Sequence, residues 1–344
     1  MTNVRNDIFP QMREYDQMES GKIVPFAMLS GPISYKSENI HTDRHGFRVS
    51  KFKNNYISMD DISKFDDINI IIGGSTVFGV GSTSNDTTIS SILSQKTNEP
   101  WFNLGIRGGV SFTEYIHLIR FIYKAKNVKQ IVFFSGINDI YINMLTEYKN
   151  DFDNRFENNK VEYGCKRKLI STVLSKLYFI KQSDIEDLSL KDMILYPFIK
   201  KEEVKEKKLT DNEQVEILFE NFRRNFLLYS ALSKQFDTKV TYILQPFSDW
   251  TDKEFTNDEL EVFEYLEKLQ KGSKWASHKS KLSKELYYRV STFMSEELNN
   301  LNIKFIDSHN EFNTKETIFV DAVHINDIGN QIASEIIFNS IKDE

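Results

Sequence analysis

The run Ile68-Asn69-Ile70-Ile71-Ile72, closed by Gly73-Gly74, constrains this chain more than any other feature. It is short, β-branched and nearly all apolar. A strand wetted on one face would alternate apolar and polar residues. This one reads as buried on both faces, the signature of a parallel sheet covered by helices. The pattern recurs, with strands expected over residues 100–104, 129–135, 239–244 and 303–306. Helices are expected between them, over residues 88–95 (opened by Asn85 or Asp86), 111–126, 212–236 and 280–299. A closing helix spans about 326–341. Ser111-Phe112-Thr113-Glu114 has the S-x-x-E form of a capping box. Strands alternating with helices imply an α/β fold, and right-handed crossovers bring the carboxyl ends of the strands to one edge.

Composition narrows the function. The 344 residues carry 44 Lys+Arg against 50 Asp+Glu, a net charge of −6, which removes the main attractive term for nucleic acid. A single cysteine, Cys165, excludes an internal disulfide framework and a Cys-rich metal site. The polar start of the chain leads into no apolar segment, and no apolar run approaches the roughly 20 residues of a membrane span. A soluble, cytoplasmic protein is expected. Residues 145–211 are polar, aromatic and lysine-rich, and residues 248–279 carry Trp250, Phe255, Phe263, Tyr265 and Trp275 among many charges. Both interrupt the α/β rhythm. The lysine-rich run reads as an exposed mixed-charge helix or linker. The second stretch reads as a helical lid or a surface subdomain, its aromatics packing under loops rather than stacking on sugars.

The distinctive polar motifs follow expected strands or precede the last helix, and α/β sheets bind ligands at the carboxyl ends of their strands. Ser75 follows the first strand in Gly73-Gly74-Ser75-Thr76, as a nucleophile or a helix cap. A phosphate loop is rejected there, because Val80-Gly81 stands where Lys-Ser/Thr is required. Gly79-Val80-Gly81 lacks the third glycine of a dinucleotide fingerprint. Asn103-Leu104-Gly105-Ile106-Arg107-Gly108-Gly109 is either a plain turn or a set of amides facing developing negative charge. Asn138, in Gly136-Ile137-Asn138-Asp139, can donate to an oxyanion or serve as a turn residue. In Asp321-Ala322-Val323-His324 a carboxylate stands three residues before a histidine, where it can hold one ring nitrogen and leave the other for proton transfer. His41, Asp43 and His45 would share one face of an extended segment, but no further cluster has ligand spacing, so no metal is expected. The segment through Gly46-Phe47-Arg48 is expected to fold back near the catalytic edge.

Taken in order, these blocks resemble the SGNH hydrolase superfamily, the GDSL-type esterases and acyltransferases. Ser75, Gly108, Asn138 and His324 with Asp321 match its four blocks. Residues 325–330 resemble its closing helix, and Gln245-Pro246 falls where many members have a similar pair. One departure is Gly74, where the family name implies Asp; the Gly-Gly-Ser-Thr variant resembles members associated with surface-polysaccharide modification. The resemblance implies a three-layer α/β/α, flavodoxin-like fold with a five-stranded parallel sheet. It divides the chain into an N-terminal extension (1–66) packing on the core and an SGNH-like domain (67–344), with helical insertions at about 145–211 and 248–279. It implies Ser75, Asp321 and His324 as catalytic residues, and Ser75, Gly108 and Asn138 as oxyanion hole. No cofactor is implied, and the partner is a carbohydrate or small-molecule ester. The activity so implied is removal of O-acyl groups, O-acetyl foremost, through an acyl-serine. Two alternatives stay open: a carbohydrate O-acetyltransferase using the same triad, and a non-catalytic glycan-binding or assembly protein.

Overall fold

A computed structural model describes residues 3–18, 23–24, 28–145, 208–273 and 279–342. Five strands build the central sheet: β1 (Asp67–Gly73), β2 (Trp101–Gly105), β3 (Asn127–Ser135), β4 (Lys239–Leu244) and β5 (Lys304–Asp307). All pair in parallel, in the order β2-β1-β3-β4-β5. The chain steps outward from β1 to β2 and then returns to β3 on the other side. The topological switch point, where such sheets bind ligands, therefore lies between β1 and β3.

Among the described residues seven longer helices accompany the sheet: α1 (Ile89–Thr97), α2 (Ser111–Ile122), α3 (Ile137–Leu145), α4 (Asp211–Phe236), α5 (Asn257–Gln270), α6 (Lys284–Asn300) and α7 (Asp327–Lys342). The two-residue period of the strands feeds two cores. Ile68, Ile70, Ile72, Ile131 and Phe133 point to one face, with Leu118 and Phe121 of α2, Phe222 of α4 and Met294 of α6. Ile71, Val132, Phe134 and Ile243 point to the other, with Leu93 of α1 and Ile337 of α7. Four isoleucines of β1 are fully buried. Each contributes about 1.5–3 kcal/mol by leaving water, so the apolar run in the sequence is the price of a sheet covered twice.

Several helix starts differ from the sequence expectation. Ser111 is already inside α2, with Val110 as its cap, and makes no capping box. Its backbone N–H and its hydroxyl both donate to the Asp139 carboxylate, each at 3.0 Å, and Glu114 is buried against Ser135. A partner distant in sequence has taken the donors that a local cap would have used. α1 is capped by Thr88, because the Asn85 amide oxygen accepts from His41 N–H and Arg48 Nε instead. α6 begins at Lys284, where the Ser283 hydroxyl accepts from Leu286 N–H.

Residues before β1 pack on the sheet's helices and loops. Two short helices, Val4–Ile8 and Met12–Gln17, set Phe9, Met12 and Tyr15 into a third apolar cluster with Phe78, Val80, Val262 and Val320. That cluster joins the turn after Ser75, helix α5 and the segment before Asp321. Residues 146–207 lie outside the described residues, and with them Cys165 and nearly all of the expected 145–211 insertion. Trp275 lies outside them too. Within 248–279, Trp250 is buried against Tyr287 and Phe247, so this aromatic belongs to the core. Among the described residues no helix is long and apolar enough to cross a membrane.

Candidate active site

Strand ends deliver the site. β1 ends at Gly73, and Ser75 opens the four-residue helix Ser75–Phe78 directly behind it. Ser75 Oγ lies 2.6 Å from His324 Nε2. His324 Nδ1 lies 2.8 and 2.9 Å from the two oxygens of Asp321. The Asp321 and His324 side chains are 14% and 18% exposed, sheltered yet reachable. Burial pushes the Asp321 carboxyl up. The His324 charge and hydrogen bond, the Val323 N–H and the Arg5 guanidinium outweigh that, bringing it down to about 2. Asp321 is therefore an anion across the physiological range.

β2 ends at Gly105, and the turn behind it is tied to β1 by Ile106 N–H donating to Gly73 C=O at 3.0 Å. Gly108 has φ +71° and is exposed, a backbone that favours glycine in a turn where the main chain itself must face a ligand. β3 ends at Ser135, and Asn138 lies in the first turn of α3. Its amide nitrogen donates to Gly109 C=O at 2.7 Å. A Cβ placed on Gly74 would stand 2.8 Å from that nitrogen. A side chain at position 74 would require the Asn138 amide to shift in this arrangement. The backbone N–H of Ser75 stands in the first turn of its helix, where amides have no intrahelical acceptor.

Buried polar groups hold these blocks in register. Gln245, just past β4, donates to Thr76 Oγ1 at 2.8 Å and to Val323 C=O at 3.0 Å, joining the serine block to the histidine loop. Asp139 ties the start of α3 to the start of α2 through Ser111. Burial pushes Asp139 up to about 6, although the Ser111 bonds oppose it. Burial, with the Asp139 charge adding to it, pushes Glu114 up to about 8, so Glu114 carries its proton at neutral pH. On α5, Glu259 pairs with buried Lys253 at 2.8 Å and accepts from the Ile318 and Phe319 N–H groups, anchoring the strand of chain that leads to Asp321.

The sheet order, with Ser, Gly, Asn and His blocks gathered at one edge, decides the fold type. It is a three-layer α/β/α fold with the flavodoxin-type strand order. No protein-family model and no curated protein matches the chain. Among solved structures it is similar to an acetyl xylan esterase, at 13% identity over 80% of this chain and 99% of the other, with a TM-score of 0.40. It is similar to a member of the lipolytic G-D-S-L family from Veillonella parvula DSM 2008, at 12% identity over 78% and 94%, with a TM-score of 0.39. It is also similar to phospholipase A1 from Streptomyces albidoflavus NA297, at 12% identity over 80% and 98%, with a TM-score of 0.40.

Other singled-out residues do different work. His41 Nε2 meets Ser37 C=O at 2.9 Å, and His45 Nε2 meets Asp60 at 3.1 Å. Asp43 accepts from the His45, Phe47 and Met59 N–H groups. Among the described residues no cluster of His, Cys, Asp and Glu is arranged to hold a metal. The same segment reaches the turn behind Ser75 through Arg48, whereas Arg44 pairs with Asp60. Arg48 is buried and donates to Gly79 C=O, Asn39 C=O, Asn85 and Tyr15 OH, all neutral acceptors. Sequence reading missed the Arg5–Asp321 pair, at 3.3 Å, because 316 positions separate the two residues. A cavity of about 280 Å³ lies beside Asp321, between α5 and the 321–323 loop, lined by Ser248, Asp249, Phe263, Leu266 and Lys279 among others.

Proposed function

We propose that this protein is a serine-dependent SGNH-type ester hydrolase that removes O-acyl groups, O-acetyl foremost, from a carbohydrate or related small molecule. The chain of hydrogen bonds from Ser75 Oγ through His324 to Asp321 carries the reading. Ser75 Oγ attacks the ester carbonyl carbon while His324 Nε2 takes its proton. The oxyanion so formed accepts from the Ser75 and Gly108 N–H groups and from the Asn138 amide. The intermediate collapses, the C–O bond to the alcohol breaks, and His324 Nε2 returns the proton to the leaving oxygen. Water, deprotonated by the same nitrogen, then attacks the acyl-serine; the bond to Ser75 Oγ breaks as His324 Nε2 returns the proton to it, and the acid leaves. Asp321 fixes the imidazole tautomer and stabilises the imidazolium.

Hydrolysis of a short-chain nitrophenyl acetate by wild type, Ser75→Ala and His324→Ala tests this. The wild type is expected to turn over and both variants to lose activity by at least about 10³. Turnover that survives in either folded variant overturns the mechanism. A folded but inert wild type overturns the hydrolase, and screening acetyl donors with sugar acceptors then tests the transferase that shares these residues.

A further inference from the structure

Resting on the reading above, we infer that Arg5 is a positioning residue of the triad, brought to Asp321 by the N-terminal helix pair. Asp321 has two oxygens with unequal support. Oδ1 accepts from the Val323 and His324 backbone N–H groups and faces His324 Nδ1. Oδ2 faces His324 Nδ1 and otherwise meets only Arg5 Nη1, at 3.3 Å, among the described residues. Without Arg5, Oδ2 is held by His324 Nδ1 alone, while Oδ1 keeps its two backbone donors. The imidazole plane, and with it the aim of Nε2 at Ser75, would loosen accordingly. The Arg5 and Asp321 side chains are 15% and 14% exposed, so the pair is screened less than a surface ion pair.

The support under Arg5 is built from the catalytic blocks themselves. Tyr15 OH donates to Gly79 C=O at 2.6 Å, in the turn behind Ser75, and lies 3.0 Å from Ser82 C=O. Gln11 Nε2 donates to Gly81 C=O at 3.0 Å. Arg107, the neighbour of Gly108, donates to the Tyr15 and Met18 carbonyls. The helix pair thus grips the Ser75 turn and the Gly108 turn while Arg5 reaches the histidine loop. Arg5 Nη2 also pairs with Asp16 on the second short helix, which holds the guanidinium from the side away from Asp321.

Three variants separate positioning from scaffolding: Arg5→Met, Arg5→Lys and Asp16→Asn. Each is assayed for kcat and KM on nitrophenyl acetate, for melting temperature, and for the rate at which a fluorophosphonate labels Ser75. For Arg5→Met, kcat and labelling rate are expected to fall together by about tenfold, the worth of one charged hydrogen bond, with KM little changed. Arg5→Lys restores part of both, and guanidinium ion at sub-denaturing concentration rescues Arg5→Met. Asp16→Asn, which removes one hold on the guanidinium but leaves the Arg5–Asp321 contact, lowers kcat by much less than Arg5→Met. A folded Arg5→Met with wild-type kcat and labelling overturns the inference. An equal loss in Asp16→Asn also overturns it, because the role would then be to hold the helices. If Arg5→Met does not fold, Arg5→Lys decides, and wild-type rates in a lysine variant that guanidinium leaves unmoved count against the forked contact. A wild type that neither hydrolyses esters nor is labelled removes the hydrolase reading itself, and this inference with it.

Discussion

Two aspartate–histidine pairs stand at the same edge of the sheet. Asp307, the last residue of β5, holds His309 Nδ1 at 2.7 Å. Asp321 holds His324 Nδ1 at 2.8 Å. Their carboxyls are alike: burial raises each, the histidine and further donors outweigh it, and both come down to about 2. For Asp307 the further donors are Ser291 and Tyr287. What differs is the far nitrogen. His309 Nε2 is buried with no hydrogen-bond partner among the described residues, in a side chain of 0% exposure walled by Trp250 and Tyr287. His324 Nε2 faces the Ser75 hydroxyl. An aspartate beside a histidine makes an oriented imidazole; only a proton-bearing group on the other side gives it chemistry to perform.

The largest expected effect breaks the likeness between the pairs. Asp321→Asn should lower kcat by on the order of 10³–10⁴, because the amide favours the wrong imidazole tautomer and no longer stabilises the imidazolium. Asp307→Asn should leave kcat near wild type and lower unfolding free energy by about 2 kcal/mol, the scale of a sheltered charged hydrogen bond. Parallel kinetics and urea denaturation of the two variants check this. Equal losses of activity would mean that the far nitrogen is not what separates the pairs. The next effect lies across Ser75 from the dyad. Asn138→Ala should cost about 10²–10³ in kcat, roughly 3–4 kcal/mol, with little change in KM. Near-wild-type turnover in the folded variant would remove Asn138 from the oxyanion hole.

The sheet was legible because its strands are buried twice, and runs such as residues 68–72 admit few other readings. The Ser, Gly and Asn blocks were legible because each follows a strand end, and the Asp321–His324 block because it stands just before the last helix. What escaped was set by partners remote in sequence. Ser111 looked like a cap until Asp139 took both its donors, and Asn85 looked like one until Arg48 and the His41 N–H took its oxygen. Arg5 sits in a five-residue helix with no motif around it, and only the third apolar cluster brings it to Asp321. His309 passed as one histidine among several, since Asp307-x-His309 carries no more signal than Asp321-x-x-His324 until their surroundings are seen. Gly74 read as a departure, and its closeness to the Asn138 amide was not legible.

The smallest effect is a pH dependence that the two pairs should share. Both aspartates have folded values near 2 against an ordinary 3.8. The unfolded chain therefore binds more protons between those limits, and stability falls as pH falls. Each pair's contribution is fully present above about pH 5 and is lost as pH drops through 2, about 2 kcal/mol apiece. Asp139 and Glu114 shift upward, so they act with the opposite sign, favouring the folded state as pH falls from about 6 and 8 toward their ordinary values, and they do so equally in wild type and in both variants. Urea unfolding at steps between pH 5 and pH 2 should show a slope that flattens by a similar amount in Asp307→Asn and in Asp321→Asn. Curves parallel to wild type in both variants would show that neither carboxylate is held in the folded state as described. A flattened slope in Asp307→Asn alone would mean that the Asp321 carboxylate, next to the open site, is held less firmly than that of Asp307. The likeness of the two pairs would then hold for geometry but not for electrostatics.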